Sequence, residues 1–277
     1  MIRLSAFADE ISADLDEQIA VLQSEQIHFL DLRSVWGTNV LDLSDQQVEK
    51  IKQTLDRQGI GVAAIGSPLG KVPVDSPFDE HLLRLERAIT LAHIFEAPFI
   101  RIFSFYPPTT SQADPDAWRD EVHRRLGEMI ARAQAANVIL IHENEKDIYG
   151  DTIARCVDLF QQHASASFQA VFDPANFIQC GQVPYPDAYE ALRPWIHYVH
   201  VKDARPDGSV VAAGEGAARW PDLLQSLRQD GYAGFLALEP HLASAGQYQG
   251  FSGPDLFRRA SQALQQMLRT LHWEHVS

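Results

Sequence analysis

The sequence contains no apolar stretch long enough to cross a bilayer. Its first residues, MIRLSAFADEIS, reach Asp9 and Glu10 before a signal-peptide core can form. A membrane-embedded or exported protein is not expected, and a cytoplasmic one is. Positive charge is also short: 23 Lys and Arg face 37 Asp and Glu, for a formal net charge of −14. Proteins that bind nucleic acid or dock on anionic membranes usually carry the opposite excess, because phosphate neutralisation dominates their affinity. Neither partner is expected. Cysteine is scarce, and the spacing of Cys156 and Cys180 matches neither a zinc knuckle nor a redox pair, so both read as small packed thiols. No Gly/Ser- or Pro-rich linker, internal repeat or low-complexity run divides the chain, which leaves one domain over 1–277. The first apolar run also lacks a following Gly-rich phosphate loop, which argues against an open dinucleotide-binding sheet.

What the chain does have is 45% hydrophobic residues, set out in short runs that alternate with amphipathic segments. The runs Ile2–Phe7, Ile27–Leu32, Gly61–Ile65, Phe99–Phe103, Val138–His142, Gln169–Phe172, His197–Val201 and Phe235–Leu238 read as strands. Several are continuously apolar, as parallel strands buried on both faces require. Helical spacing marks Asp14–Ser24, Ser44–Gln58, Asp79–Phe95, Asp116–Ala136, Thr152–His163, Pro221–Asp230 and Gly253–Leu271, with a shorter helix over Tyr185–Leu192. Eight strand–helix units in strict alternation imply parallel strands with right-handed crossovers. At this length, the expected fold is α/β, a single (β/α)₈ TIM barrel.

The ends of the last four strands carry the chemistry. VILIHENE delivers Glu143, QAVFDPANF delivers Asp173, IHYVHVKDA delivers His200 and FLALEPH delivers Glu239. The gaps from 143 to 173, 173 to 200 and 200 to 239 are 30, 27 and 39 residues, each about one strand–helix unit. Consecutive barrel strands therefore aim three carboxylates and an imidazole at one mouth. Three carboxylates do not stay ionised together in a closed mouth without a cation. One divalent metal ion is expected; the oxygen-rich set favours Mn²⁺, Mg²⁺ or Co²⁺, with Zn²⁺ as an alternative.

The strings IHENE, FDPANF, YVHVKDA, GEG and LALEPH, with FADEIS, LRSVWGTNVLDL, AIGSPLGK and RIFSFY before them, resemble the sugar isomerase/epimerase superfamily of xylose-isomerase-like barrels over the whole chain. That superfamily includes ketose 3-epimerases, inosose and dehydroshikimate dehydratases and, more distantly, endonuclease IV. The resemblance implies that Glu143, Asp173, His200 and Glu239 hold the metal. It also implies that Glu143 and Glu239 serve as an acid/base pair. Many relatives have His three positions after the aspartate; here Asn176 stands there, able to hydrogen-bond a hydroxyl but not to act as a base near neutral pH.

Basic residues gather near the same strand ends. Lys202 shares a strand face with His200 and is expected to polarise a carbonyl or donate a proton. Arg33, Lys71 and Arg101 are candidates for binding an anionic or polyoxygenated substrate, together with Asn176, His241 and Trp36. The bland alternative for the cations is ion pairing with Glu10, Glu145 or Asp203. His142, one residue before Glu143, should point away from the lumen. Gly214-Glu215-Gly216 reads as a shaped turn with amides open to a phosphate or hydroxyl.

Two reactions compete, with the same first step. One is isomerisation or epimerisation of a ketose, keto-polyol or sugar phosphate through an enediolate; the other is dehydration of a related keto-polyol. An endonuclease is a remote third, because Arg33, Ser67 and Asn176 stand where its metal cluster needs histidines. A small sugar or polyol is the expected partner. Homo-oligomerisation is open, since no interface signal stands out.

Overall fold

A computed structural model describes residues 1–109, 115–246 and 249–276. The barrel strands are β1 (Ile2–Ala6), β2 (Phe29–Leu32), β3 (Gly61–Ile65), β4 (Phe99–Ile102), β5 (Ile139–Glu143), β6 (Phe168–Phe172), β7 (Ile196–Val201) and β8 (Phe235–Leu238). Each is buried along nearly its whole length, which explains the continuous apolar runs. All pair in parallel, in the order β1–β8–β7–β6–β5–β4–β3–β2, with the terminal strand His275–Val276 beside the start of β1. β1 and β2, the two ends of that curled sheet, pack side by side. Side chains bridge them: Ser5 Oγ donates to Asp31 Oδ2 at 2.7 Å. The fold is the expected (β/α)₈ TIM barrel.

Local chemistry sets the helix ends. α1 (Leu15–Ser24) starts on Asp14, whose side chain accepts from Glu17 N. α2 (Asp45–Gln58) has a Ser44–Gln47 capping box and stops at Gly59, whose φ of 66° suits glycine. α3 (Phe78–Ile94), α4 (Arg119–Ala135) and α5 (Ile153–His163) follow the expected pattern within three residues.

Two helical elements differ from expectation. A short helix, α6 (Pro174–Gln179), leaves β6 at once, with Asp173 as its N-cap and Pro174 in its first turn. The motif DPANF carried that signal, an acidic cap followed by proline. The helix expected over Tyr185–Leu192 is instead a wide turn, Pro184–Ala188, that runs into the four-residue α7 (Tyr189–Leu192). Two prolines in the turn deny the backbone donors that a regular helix needs. α8 (Trp220–Gln229) and α9 (Gly253–Thr270) complete the outer ring.

The core has two parts. Helices and the outward strand residues form the larger one. The lumen is filled by Phe99, Ile141, Val171, Tyr198, Phe235 and Ala237. Strand alternation then carries the next inward position of several strands up to the mouth: Arg101 after Phe99, Glu143 after Ile141, Asp173 after Val171, His200 after Tyr198 and Glu239 after Ala237.

Candidate metal centre

Glu143, Asp173, His200 and Glu239 meet at the C-terminal mouth, all buried, with one ligand atom from each lying within 4.8 Å of the others. His200 Nδ1 lies 3.4 Å from Glu143 Oε1 and 3.5 Å from Glu239 Oε2. Asp173 uses Oδ1 to cap α6 through Asn176 N, which leaves Oδ2 for the centre. Among the described residues, Glu239 Oε2 and both ring nitrogens of His200 are buried without a hydrogen bond, and Asp173 Oδ2 has only the ion pair with Lys202. Buried polar atoms are rarely left so, and their convergence fits a divalent cation held by three carboxylates and one imidazole.

The electrostatics agree. Burial penalises charge on Glu143, but His200 and Arg101 outweigh it and hold its carboxyl below the usual range. Glu239 is held lower still by Lys202 and His241 against the same penalty. Asp173 is pushed up by burial and by the charges of Glu143 and Glu239, despite Lys202. Burial opposes the imidazolium of His200, yet the two glutamates raise it to about 10. The site is rich in negative charge, so a cation there relieves repulsion that these side chains otherwise share.

The expected cations do reach the mouth. Arg101 Nη1 lies 3.1 Å from Glu143 Oε2 and 3.4 Å from Glu239 Oε1. Arg33 spans Asp9 at 2.8 Å and Glu239 at 2.9 Å. Lys71 pairs with Glu145 at 2.9 Å. Lys202 points inward beside His200, its Nζ 3.0 Å from Asp173 Oδ2 and 3.5 Å from Glu239 Oε2. His241 Nε2 lies 3.1 Å from Glu10 Oε1 and 3.5 Å from Glu239 Oε1. Asn176 Nδ2 donates to Glu143 Oε1 at 3.1 Å, while its Oδ1 is buried without a donor.

Trp36 packs against the outer core, with Lys50 Nζ 4.9 Å over its ring. Two expectations need correction. Asp203 is no partner of Lys202. Its carboxylate turns the other way and accepts from the amides of Ala204, Gly214, Gly216 and Ala218. The Gly214 and Gly216 amides are therefore spent on an internal carboxylate rather than on a phosphate. His142 behaves as expected: it is buried against Phe160 and Phe168 on the outer side, where burial lowers it to about 4.

Sequence reasoning missed Asn144, Asp9 and the positioning role of Glu10. Asn144 clamps the Asp173 backbone from both sides, accepting from its N and donating to its O. Glu10 accepts from His241 N at 2.8 Å and Ser252 Oγ at 3.0 Å, tying the loop after β1 to the loop after β8. Asn144, next to Glu143, was open to notice; the partners of Asp9 and Glu10 are too distant in sequence for any local signal.

Residues 26–267 match the family described as xylose isomerase-like TIM barrel. The chain belongs to that family. It is 21% identical over 226 residues to a 3-dehydroshikimate dehydratase of Bacillus anthracis, covering 74% of this chain and 79% of that protein. A solved D-tagatose 3-epimerase-like protein superposes with a TM-score of 0.77 at 16% identity, covering 98% of each chain. A xylose isomerase-like TIM barrel protein from Mycobacterium smegmatis, in complex with magnesium, gives 0.71 at 16% identity over 97% of each chain. The chain is thus similar to a dehydratase in sequence and shares its fold with an epimerase-like protein and a magnesium-bound barrel.

Proposed function

We propose that this protein is a metal-dependent sugar isomerase or epimerase that moves a proton next to the carbonyl of a ketose, keto-polyol or sugar phosphate. The observation that carries this reading is the convergence of Glu143, Asp173, His200 and Glu239, all buried, with one ligand atom from each within 4.8 Å of the others. When bound, a divalent ion supplies Lewis acidity toward a carbonyl and its neighbouring hydroxyl. One glutamate of the pair Glu143 and Glu239 removes the carbon-bound proton, and the other returns a proton, from the opposite face for epimerisation. Arg101, within 3.4 Å of both carboxylates, keeps them ionised and in place. The ammonium of Lys202 favours the negative charge that develops on the substrate oxygens. Asn176 Oδ1, a buried acceptor without a donor, suits a substrate hydroxyl.

A dehydratase is the second reading, favoured by the similarity to the Bacillus anthracis 3-dehydroshikimate dehydratase. The same proton is removed first. A β-hydroxyl then leaves as water, taking its proton from Lys202 or a protonated glutamate. One experiment tests both readings: Mn²⁺-loaded protein in D₂O with ketoses, keto-inositols, sugar phosphates and dehydroshikimate. Deuterium entering recovered substrate or an epimer supports the first reading, and loss of water supports the second. Neither event with any of them would refute both.

A further inference from the structure

Below the quartet, the lumen holds a polar cluster with no part in the proposed proton transfer. Ser5 of β1, Asp31 of β2 and Tyr198 of β7 are buried there, each two residues before Phe7, Arg33 and His200 on the same inward faces. Their oxygens form a closed triangle. Ser5 Oγ lies 2.7 Å from Asp31 Oδ2, Tyr198 Oη 2.6 Å from Asp31 Oδ1, and Ser5 Oγ 3.0 Å from Tyr198 Oη.

Three hydrogen bonds need three hydrogens, and the two hydroxyls bring one each. With Asp31 ionised, both hydroxyls would point at its carboxylate. The Ser5–Tyr198 edge would then set two oxygens face to face with no proton between them. A neutral Asp31 brings the third hydrogen and closes the ring in either direction. Burial acts the same way: it raises the Asp31 carboxyl, against the two hydroxyls and the facing charges of His200 and Arg101.

What leans on Tyr198 gives the ring its purpose. A metal-binding histidine ordinarily has its second ring nitrogen fixed by a hydrogen bond. In His200, Nδ1 faces the glutamates and Nε2 is buried without a partner among the described residues. Two aromatic rings hold the imidazole instead, both edge-on: Phe7 at 5.1 Å and Tyr198 at 5.9 Å between centroids, each at 87°. Phe7 is in turn pinned by the guanidiniums of Arg33 and Arg101, 4.7 and 4.8 Å from its ring. The hydroxyl of Tyr198 is pinned by the triangle.

We infer that Ser5, Asp31 and Tyr198 form a neutral hydrogen-bonded ring that positions the His200 imidazole for metal binding, with Tyr198 as one jaw of an aromatic clamp. This rests on the metal site proposed above. Tyr198 and Asp31 are positioning residues, acting through His200. The first test needs no metal. At neutral pH, the infrared difference spectrum of wild type against Asp31→Asn should show the C=O band of a protonated carboxylic acid; its absence overturns the neutral ring. The second test is Mn²⁺ titration followed by the electron paramagnetic resonance of the free ion. Asparagine at 31 offers a donor and an acceptor and closes the ring, so Asp31→Asn should bind Mn²⁺ as wild type does. Tyr198→Phe keeps the aromatic ring but opens the triangle, and should weaken Mn²⁺ binding about 10-fold. If that variant does not fold, Ser5→Ala takes its place with the same expected direction. Unchanged affinity on opening the ring, or equal weakening in Asp31→Asn, overturns the clamp. If wild type takes up no Mn²⁺, the metal site has failed and the clamp with it, while the infrared result still decides the ring.

Discussion

Single side chains at the mouth do more than one job. Asp173 caps a helix with one oxygen and faces the centre with the other. Glu239 is shared among Arg33, Arg101, His200, Lys202 and His241. Metal analysis of protein purified without chelator should therefore give close to one equivalent, and Glu143→Gln, Asp173→Asn or Glu239→Gln should lower it sharply. Unchanged occupancy in all three would remove the site. Lys202 is held charged by Asp173 and Glu239 in spite of its burial. Its loss should act on the transition state more than on substrate affinity. Once a substrate is found, Lys202→Met should lower kcat by about 10²–10³ while metal content and Tm stay put. A fall in metal and stability together would mark Lys202 as structural.

At the scale of elements, the loops after the strands are braced by buried carboxylates as well as by short antiparallel pairs such as Asp203–Ala204 with Val210–Val211. Asp203 gathers four amides and closes the segment from Ala204 to Ala218. The backbone of that segment approaches the carboxylate so closely that a Cβ at Gly216 would collide with Asp203 and the Ala204 carbonyl. Gly216→Ala should thus destabilise the protein by about 1–3 kcal/mol through overpacking. Asp203→Ala, which strands several donors, should cost about 2–4 kcal/mol, with water reaching part of the loop. Urea unfolding with an unchanged m-value would measure both, and a midpoint like that of wild type in Gly216→Ala would show that the loop simply moves aside.

For the whole molecule, stability and partner choice follow from charge. His81 is buried between Phe78 and Phe105, and burial with Arg125 and Arg84 nearby lowers it to about 4 from 6.5. The unfolded chain takes up this proton first, so stability falls as pH drops from about 6.5 to about 4 and then levels. The contribution of this one histidine across that window is about 3 kcal/mol, and His81→Leu should flatten the unfolding free energy there by that amount. A pH profile with an undiminished slope would clear His81. The net charge of −14 and Asn176 also argue against DNA as a substrate. Among the described residues, the two groupings able to hold metal share Glu239. Metal-replete protein should leave abasic-site duplex DNA uncut.

The barrel and its quartet were legible because both are written in local periodicity. Parallel strands buried on both faces show as apolar runs, so Gly61–Ile65 and Phe235–Leu238 were bounded correctly, and the latter stops just before Glu239, which the mouth receives. Alternation likewise placed Lys202 on the inward face with His200 and turned His142 outward. Pairing across the barrel was not legible. Arg33 finds Glu239 across 206 residues, and Ser5 finds Tyr198 across 193. No window of sequence contains such partners; they meet because eight twisted strands close on themselves. Closure also decided that Asp203 serves the Gly214–Gly216 turn while Asp173 and Glu239 take Lys202, since strand direction separates neighbours in sequence and gathers residues far apart. The sequence alone determined which strand-borne side chains reach the mouth, through period-two alternation. Only the tertiary structure decided which of them pair there and which atoms are left open for a cation.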